Sequence, residues 1–222
     1  MRSIIEITRI AARRKGGITA LENLLSRPLP PGKIRKISDD RFLSAMTQCV
    51  FQAGFNWRII ENKWPRFEEV FEGFDIHRWR MMSDDDLDSL LKTEGIVRNL
   101  AKLRSVRDNA MFLVNIADTH GSAGNYFSDW KAPDYCRKLR ELQKGGSRLG
   151  GKTGQVFLRR MGIDTLVFTP DVLKALHREG VVDRIPGSNR DWESLQLAID
   201  KWQGESGRSL NEISQILAFS ID

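Results

Sequence analysis

The segment 147–154 has the composition of an anion-binding loop. It contains Ser-Arg-Leu-Gly-Gly-Lys-Thr-Gly, and an apolar pattern typical of a helix follows it. Glycines let backbone amides approach an anion closely, and the first turn of a helix adds the positive end of its dipole. We expect phosphate to contact Arg148, Gly150, Gly151, Lys152 and Thr153. A plain glycine-rich turn is the alternative, and the loop lacks the Gly-x-x-x-x-Gly-Lys-Ser/Thr pattern and preceding strand of a nucleotide-binding P-loop.

A second group that could do chemistry is the aromatic pair in Phe51-Gln-Ala-Gly-Phe-Asn-Trp57. Phe55 and Trp57 follow Gly54, where one helical pattern stops, and Asn56 can cap the next helix. A tryptophan at a helix start can simply pack into a core, and this is the alternative to any binding role of Trp57.

Positive charge is concentrated in two stretches of a chain whose formal net charge is +6. Residues 1–36 hold nine Lys and Arg against two Glu, and residues 137–160 hold eight against Glu141 alone. Two such patches favour a polyanionic partner, although a solvated helical face would have the same composition. Double-stranded DNA is one such polyanion.

Composition also excludes several classes of protein. The two cysteines, Cys49 and Cys136, form no Cys-x-x-Cys pair, and His77, His120 and His177 have no metal-ligand spacing, so we expect no disulfide, metal or cofactor. No apolar run reaches the roughly 20 residues that span a bilayer, and charges interrupt the N-terminal segment too often for a secretion signal. The sequence predicts a cytoplasmic protein that does not enter a membrane.

Apolar residues recur at helical spacing along the whole chain, which predicts an all-α fold of about ten helices. The pattern places helices over 40–53, from Asn56 with a break or kink at Pro65, from Ser83, from Thr93, from Thr169, over 189–203 and over 210–219, with a loop at 120–125. We expect a basic helical extension over 1–37 and one domain of interleaved lobes over 38–222, with a helical hairpin at about 143–156.

Several motifs occur in an order that resembles a known family. The hairpin, an apolar helix ending Arg-Met-Gly162 and then Thr169-Pro-Asp-Val172 resemble the helix-hairpin-helix DNA glycosylases. The segment 51–57, Phe71-Glu-Gly-Phe-Asp75, the segment 94–102 and Asn109-Ala110 are similar to 3-methyladenine DNA glycosylase type I. These four motifs cover residues 40–115, and the hairpin extends the resemblance to about residue 182.

The resemblance implies a two-lobed helical body with a base pocket between the lobes. Trp57 would stack on the extruded base, and Phe55 would fill the gap left in the duplex. Gln48, Cys49 and Gln52 would form the rest of the pocket. The hairpin would bind phosphate through the amides of 150–153. These roles suit base-flipping chemistry, because an alkylated purine carries positive charge and interacts favourably with an indole face.

The chain departs from the family at its acids and metal ligands. The pocket carboxylate falls at Cys49, a Tyr-His motif is absent from residues 1–36, and the zinc-binding Cys and His are missing. The superfamily's catalytic aspartate falls at Thr169, with Asp171 two residues later. Asp171 could support the sugar cation as the base departs, or it could only stabilise the helix dipole.

These features predict a monomeric, monofunctional DNA N-glycosylase acting on alkylated purines such as 3-methyladenine. A lyase would need a lysine paired with an aspartate, which this chain lacks. Without the acids, we expect activity on cationic alkylpurines rather than on uracil or 8-oxoguanine. A catalytically impaired DNA-binding module of the same fold is the alternative, and a helical protein-interaction domain is a third hypothesis.

Overall fold

The computed structural model describes residues 1–221, and every regular element in this range is helical, which confirms the all-α prediction. The α-helices are α1 (Ile4–Arg14), α2 (Ile18–Glu22), α3 (Pro31–Ile34), α4 (Asp39–Gln52), α5 (Trp57–Val70), α6 (Ile76–Trp79), α7 (Asp84–Lys92), α8 (Leu100–His120), α9 (Ala123–Ser128), α10 (Tyr135–Gly145), α11 (Thr153–Arg160), α12 (Pro170–Arg178), α13 (Asn189–Ser206) and α14 (Leu210–Phe219). Short 3₁₀ turns form at Glu72–Phe74 and Ala132–Asp134.

The chain divides into two compact units. The first unit comprises Met1–Leu29, Trp130–Arg140 and the chain from Gly162 onward, and the second comprises Pro30–Asp129 and Glu141–Met161. The N-terminal 29 residues therefore pack within the first unit. That residues 1–37 are an addition to a glycosylase domain over 38–222 stays a prediction.

The first unit is built around α1, α12, α13 and α14, which pack on one another. A capping box between Ser3 and Glu6 starts α1, and its inner face buries Ile4 and Ile7. Trp202 of α13 is fully buried, and its indole N–H donates to the carbonyl oxygen of Arg2 at 3.1 Å. The basic N-terminal segment is thus tied to the core by its apolar face.

The second unit is built around α4, which packs against α8 and α11. Ten of the fourteen residues of α4 are buried, so this helix is the centre of the unit. A ladder of stacked rings from α5 and the 3₁₀ turn lies beside it, with neighbouring centroids 5.0–6.1 Å apart: Trp64, Phe67, Phe71 and Phe74. Such ring pairs contribute about 0.5–1.5 kcal/mol each beyond their buried area.

The helix predicted from Thr93 starts later than expected. Thr93 ends α7, and α8 begins at Leu100, where the Asn99 side chain accepts a hydrogen bond from the amide of Lys102 at 3.1 Å. Gly95, at φ +88°, interrupts any continuous helix between the two. Apolar residues on both sides of this turn fall at helical spacing, and the sequence pattern therefore predicted a helix that is longer than α8.

Two other local elements differ from the expectation. Helix α5 continues through Pro65 without a break, because that position is exposed and the carbonyl that proline leaves unbonded can face water. The loop expected at 120–125 is only two residues long: Gly121 ends α8 in the left-handed conformation, and Ser122 caps α9. Short helices of four to six residues account for the elements beyond the expected ten.

Candidate functional site

The junction between α4 and α5 is fixed by a charged cap. Gly54 takes a positive φ of 70° after α4 ends, which reverses the chain. The ammonium of Lys102, from the first turn of α8, donates to the carbonyl oxygens of Phe51 at 3.1 Å and Ala53 at 2.8 Å. A cation at the C-terminal end of a helix satisfies its last carbonyls and its dipole. Lys102 thereby holds the turn that precedes the aromatic pair.

The aromatic pair lies on the surface rather than in the core. The Asn56 side chain accepts from the amide of Arg58 at 3.0 Å, so α5 begins with Trp57. Trp57 is 51% exposed and Phe55 is 44% exposed. Large aromatic side chains are usually buried, and two such exposed rings in one turn are a candidate binding surface. The alternative that Trp57 is a core residue is wrong.

These rings border a cavity of about 520 Å³ that lies wholly in the second unit. The residues that line it are Cys49, Gln52, Ala53, Gly54, Phe55, Asn56, Trp57, Ile59, Lys152, Thr153 and Val156. The fold thus brings together three of the four predicted pocket residues, Phe55 and part of the predicted phosphate loop. Gln48, Arg148, Gly150 and Gly151 are outside this lining.

One wall of the cavity is ordered by an arginine that the sequence did not single out. Arg160, at the end of α11, donates to the side-chain oxygens of Gln48 at 2.7 Å and Gln52 at 2.6 Å. The two glutamines lie one turn apart on α4 and therefore face the same side. The four-residue spacing of the two glutamines predicts that they share one face of α4, but no local sequence signal predicts their contact with Arg160.

Cys49 lies in the same wall but carries no charge at neutral pH. It is 3% exposed. Burial raises the pKa of its thiol to about 11, against the opposing effect of the Arg160 charge. A thiol with this pKa is neither a base nor a reactive nucleophile at pH 7. The residue that replaces the expected carboxylate therefore supplies neither its charge nor its proton chemistry.

The hairpin loop between α10 and α11 presents free backbone amides. The amide of Thr153 donates to the carbonyl of Gly150 at 3.2 Å, and that of Gly154 donates to Leu149 at 3.1 Å. Among the described residues, no acceptor is bonded to the amides of Gly150, Gly151 and Lys152. Gly151 has φ +56°, which a glycine adopts without strain. Three of the four predicted amides are thus available, while that of Thr153 is used in a turn.

A polar clamp holds this loop to α8. The fully buried Asn109 donates to the carbonyl of Ser147 at 3.2 Å and accepts from its amide at 2.8 Å. The Ser147 hydroxyl also donates to Asp108 at 3.1 Å. Asn109 interrupts the apolar face of α8, and a buried polar residue in such a face signals a specific partner. This clamp gives a structural reason for the Asn109-Ala110 motif.

Asp171 lies in the first unit, in the first turn of α12. Its side chain is 54% exposed, and the Lys174 ammonium is 4.0 Å away. Thr169 caps the helix by accepting from the amide of Val172 at 3.2 Å. The position suits an acid that stabilises the helix dipole. A catalytic role for Asp171 stays a prediction.

Within residues 1–221, no group of three or more His, Cys, Asp and Glu side chains is arranged so that it could hold a metal ion. The helices in this range are all too short or too polar to cross a bilayer.

Comparisons with known proteins agree with this architecture. A family model described as methyladenine glycosylase matches residues 33–146, just over half of the chain. A crystal structure of a 3-methyladenine DNA glycosylase I variant with 3-methyladenine is 19% identical, covers 66% of this chain and 86% of its own, and has a TM-score of 0.52. The Staphylococcus aureus 3-methyladenine DNA glycosylase I is 20% identical, covers 64% of this chain and 82% of its own, and has a TM-score of 0.50.

A third similar structure covers more of the chain. The 8-oxoguanine DNA glycosylase of Methanocaldococcus jannaschii is 17% identical, covers 95% of this chain and 90% of its own, and has a TM-score of 0.54. At these identities the structures establish an all-α DNA glycosylase fold. The family model adds the narrower assignment, and its match includes α4, the exposed aromatic pair and Asn109. The chain belongs to the methyladenine glycosylase family.

Proposed function

We propose that this protein hydrolyses the N-glycosidic bond of alkylated purines such as 3-methyladenine in double-stranded DNA. The observation that carries the proposal is the half-exposed Trp57 at a cavity that also includes Lys152 and Thr153 of the hairpin. A base stacked on Trp57 would lie beside a loop that offers three free amides to phosphate. Base recognition and backbone binding would then occupy one continuous surface.

Extrusion of the base is supported by the position of Phe55. Its ring is exposed directly after the turn at Gly54, so it can enter the gap that a flipped nucleotide leaves in the duplex. The favourable contact of an indole face with a cationic alkylpurine would offset part of the unstacking cost. Trp57 and Phe55 therefore have separate roles in recognition and in flipping.

Bond cleavage needs little acid or base help when the leaving base is already cationic. In our proposal Asp171 stabilises the developing positive charge on the sugar, and water completes the hydrolysis. We also propose that the enzyme is monofunctional. None of the residues that line the cavity is an acid that could pair with Lys152, and a lyase amine requires such activation.

We also propose that the protein is a monomer. The decisive experiment uses the purified full chain with methylated genomic DNA. Released bases are identified by mass spectrometry, and the strands are examined before and after alkali. We expect release of 3-methyladenine, with strand breaks only after alkali cleaves the abasic sites. Breaks without alkali would overturn the monofunctional assignment. Binding without release of any base would favour a non-catalytic module, a role compatible with the neutral thiol at Cys49.

A further inference from the structure

The cavity wall contains a buried donor without a partner. Gln52 is 2% exposed and lines the cavity, and within residues 1–221 its side-chain nitrogen, Nε2, makes no hydrogen bond. Buried polar groups are nearly always satisfied, so an unsatisfied one in a candidate site needs an explanation. A ligand that brings an acceptor would provide it.

Arg160 determines which end of the Gln52 amide is left free. A guanidinium has only donors, so the group 2.6 Å from its Nη2 must be the amide oxygen. The second contact of Arg160, to the Gln48 oxygen at 2.7 Å, fixes the guanidinium in one orientation. The amide nitrogen of Gln52 is consequently the free end. The adjacent positive charge also polarises the amide and strengthens it as a donor.

The rest of the lining offers no carboxylate as an alternative recognition group. Cys49 is a buried thiol, and the charged residue of the lining is Lys152, which is a donor. A purine alkylated at N3 keeps N1 and N7 as hydrogen-bond acceptors on its exposed edges. The chemistry of the wall is therefore complementary to an acceptor on the base.

We propose that Arg160 is a positioning residue that holds the Gln52 amide so that Nε2 donates to an acceptor nitrogen of the bound purine. This inference rests on the proposed function, since it assumes that a purine occupies the cavity. It assigns specificity to a pair of side chains, Arg160 and Gln52, that are 108 residues apart in the chain. The protein then recognises the base by donating a hydrogen bond to it from Gln52.

The test compares the binding of free bases by calorimetry, which does not depend on catalysis. The ligands are 3-methyladenine and its 1-deaza and 7-deaza analogues, each of which replaces one acceptor nitrogen by C–H. We expect the wild-type protein to bind 3-methyladenine about tenfold more tightly than one of the two analogues, as the loss of one hydrogen bond implies.

Two variants distinguish a positioning role of Arg160 from a general effect on folding. In Arg160→Met the preference is expected to fall to about threefold or less, because the amide can rotate. In Gln52→Glu the carboxylate can still accept from Arg160 but has no donor, so the preference is expected to disappear. The matched control is Arg104→Met, an equal charge change at an exposed position of α8, which is expected to keep the preference.

The outcomes distinguish this inference from the proposed function. If wild-type protein binds none of the three bases, the proposed function fails. If it binds all three equally, or if Gln52→Glu keeps the preference, base binding stands and the donor role is overturned. Should Arg160→Met fail to fold, the Gln52→Glu result decides. A preference retained by a folded Arg160→Met variant would remove the positioning role.

Discussion

Cys49 illustrates how one residue changes the chemistry of a pocket. A carboxylate at this position could accept hydrogen bonds from a base and attract a cation, whereas a neutral thiol of 3% exposure does neither. In the proposed function, recognition would then depend on the stacking surface of Trp57 and on the amide of Gln52.

We predict that Trp57→Ala weakens binding to lesion-containing duplex by about 1–3 kcal/mol, because the stacking surface is lost. The free energy of unfolding should change by less than about 1 kcal/mol, since half of the side chain is already exposed. Fluorescence anisotropy and urea unfolding measure the two quantities. The matched control is Trp79→Ala, whose indole is 3% exposed and should cost about 3–5 kcal/mol of stability.

A second prediction at this scale concerns Asp171. Asp171→Asn should slow base release at least about tenfold in single-turnover assays, because in the proposed mechanism it removes the charge that would stabilise the sugar cation. The loss of stability should be only about 0.3–1 kcal/mol, the usual contribution of a first-turn acid. Asp84→Asn, in the first turn of α7, is the control for the helix-dipole effect. Unchanged base release would leave Asp171 with the dipole role alone.

At the scale of elements, the hairpin is expected to bind the DNA backbone without sequence preference. Lys152→Glu should weaken binding to all duplexes alike and reduce the slope of log affinity against log salt by about 1. Titrations at several salt concentrations measure that slope. Lys92→Glu, on α7, makes the same charge change elsewhere in the second unit and serves as control. Salt-independent binding by the wild-type protein would contradict a phosphate-binding hairpin.

The start of α7 shows how a cap makes stability depend on pH. Asp86 forms a capping box with Ser83 and an ion pair with Arg78 at 2.6 Å, and the hydrogen bond that Arg78 donates within this pair is the main reason that its pKa is below the ordinary 3.8. A carboxyl with a lowered pKa stabilises the fold above its ordinary pKa, and that contribution is lost as the pH falls.

Asp86→Asn should therefore lower the free energy of unfolding by about 1–2 kcal/mol at pH 7. The difference from wild type should shrink below about pH 4, where the carboxyl becomes protonated in the unfolded state while it stays ionised in the folded state. Urea unfolding across pH 3–7 measures it. Asp85→Asn, an exposed neighbour in the same turn, should show little change. A difference that persists unchanged at low pH would mean that the charge is not responsible.

For the whole molecule, we predict that helix packing stabilises the folded state without a bound metal ion. Chelation with EDTA should shift the melting temperature by no more than about 1 °C, because a metal that bound the folded state would stabilise it measurably. Metal analysis of protein purified without an affinity tag provides a second measurement. Stoichiometric zinc, or a large shift on chelation, would contradict this expectation.

Local signals predicted helix starts well where the capping group and the apolar pattern agree. Ser209 and Glu212 form the capping box that opens α14, and Thr169 with Pro170 opens α12. The pattern failed at Thr93, where an apolar residue beyond Gly95 falls in helical register with α8 by coincidence. A periodicity shows which faces could be buried, but it does not show that the backbone between them is continuous.

The sequence by itself determined the all-α class, the hairpin loop and the aromatic pair, because caps, glycines and apolar spacing act over a few neighbouring residues. Only the tertiary structure decided that Trp57 is exposed at a cavity and that Lys152 joins the lining. It also placed Arg160 against Gln48 and Gln52, more than 100 residues away in the chain. Such contacts depend on how α4 and α11 pack, and no local preference of the chain encodes that packing.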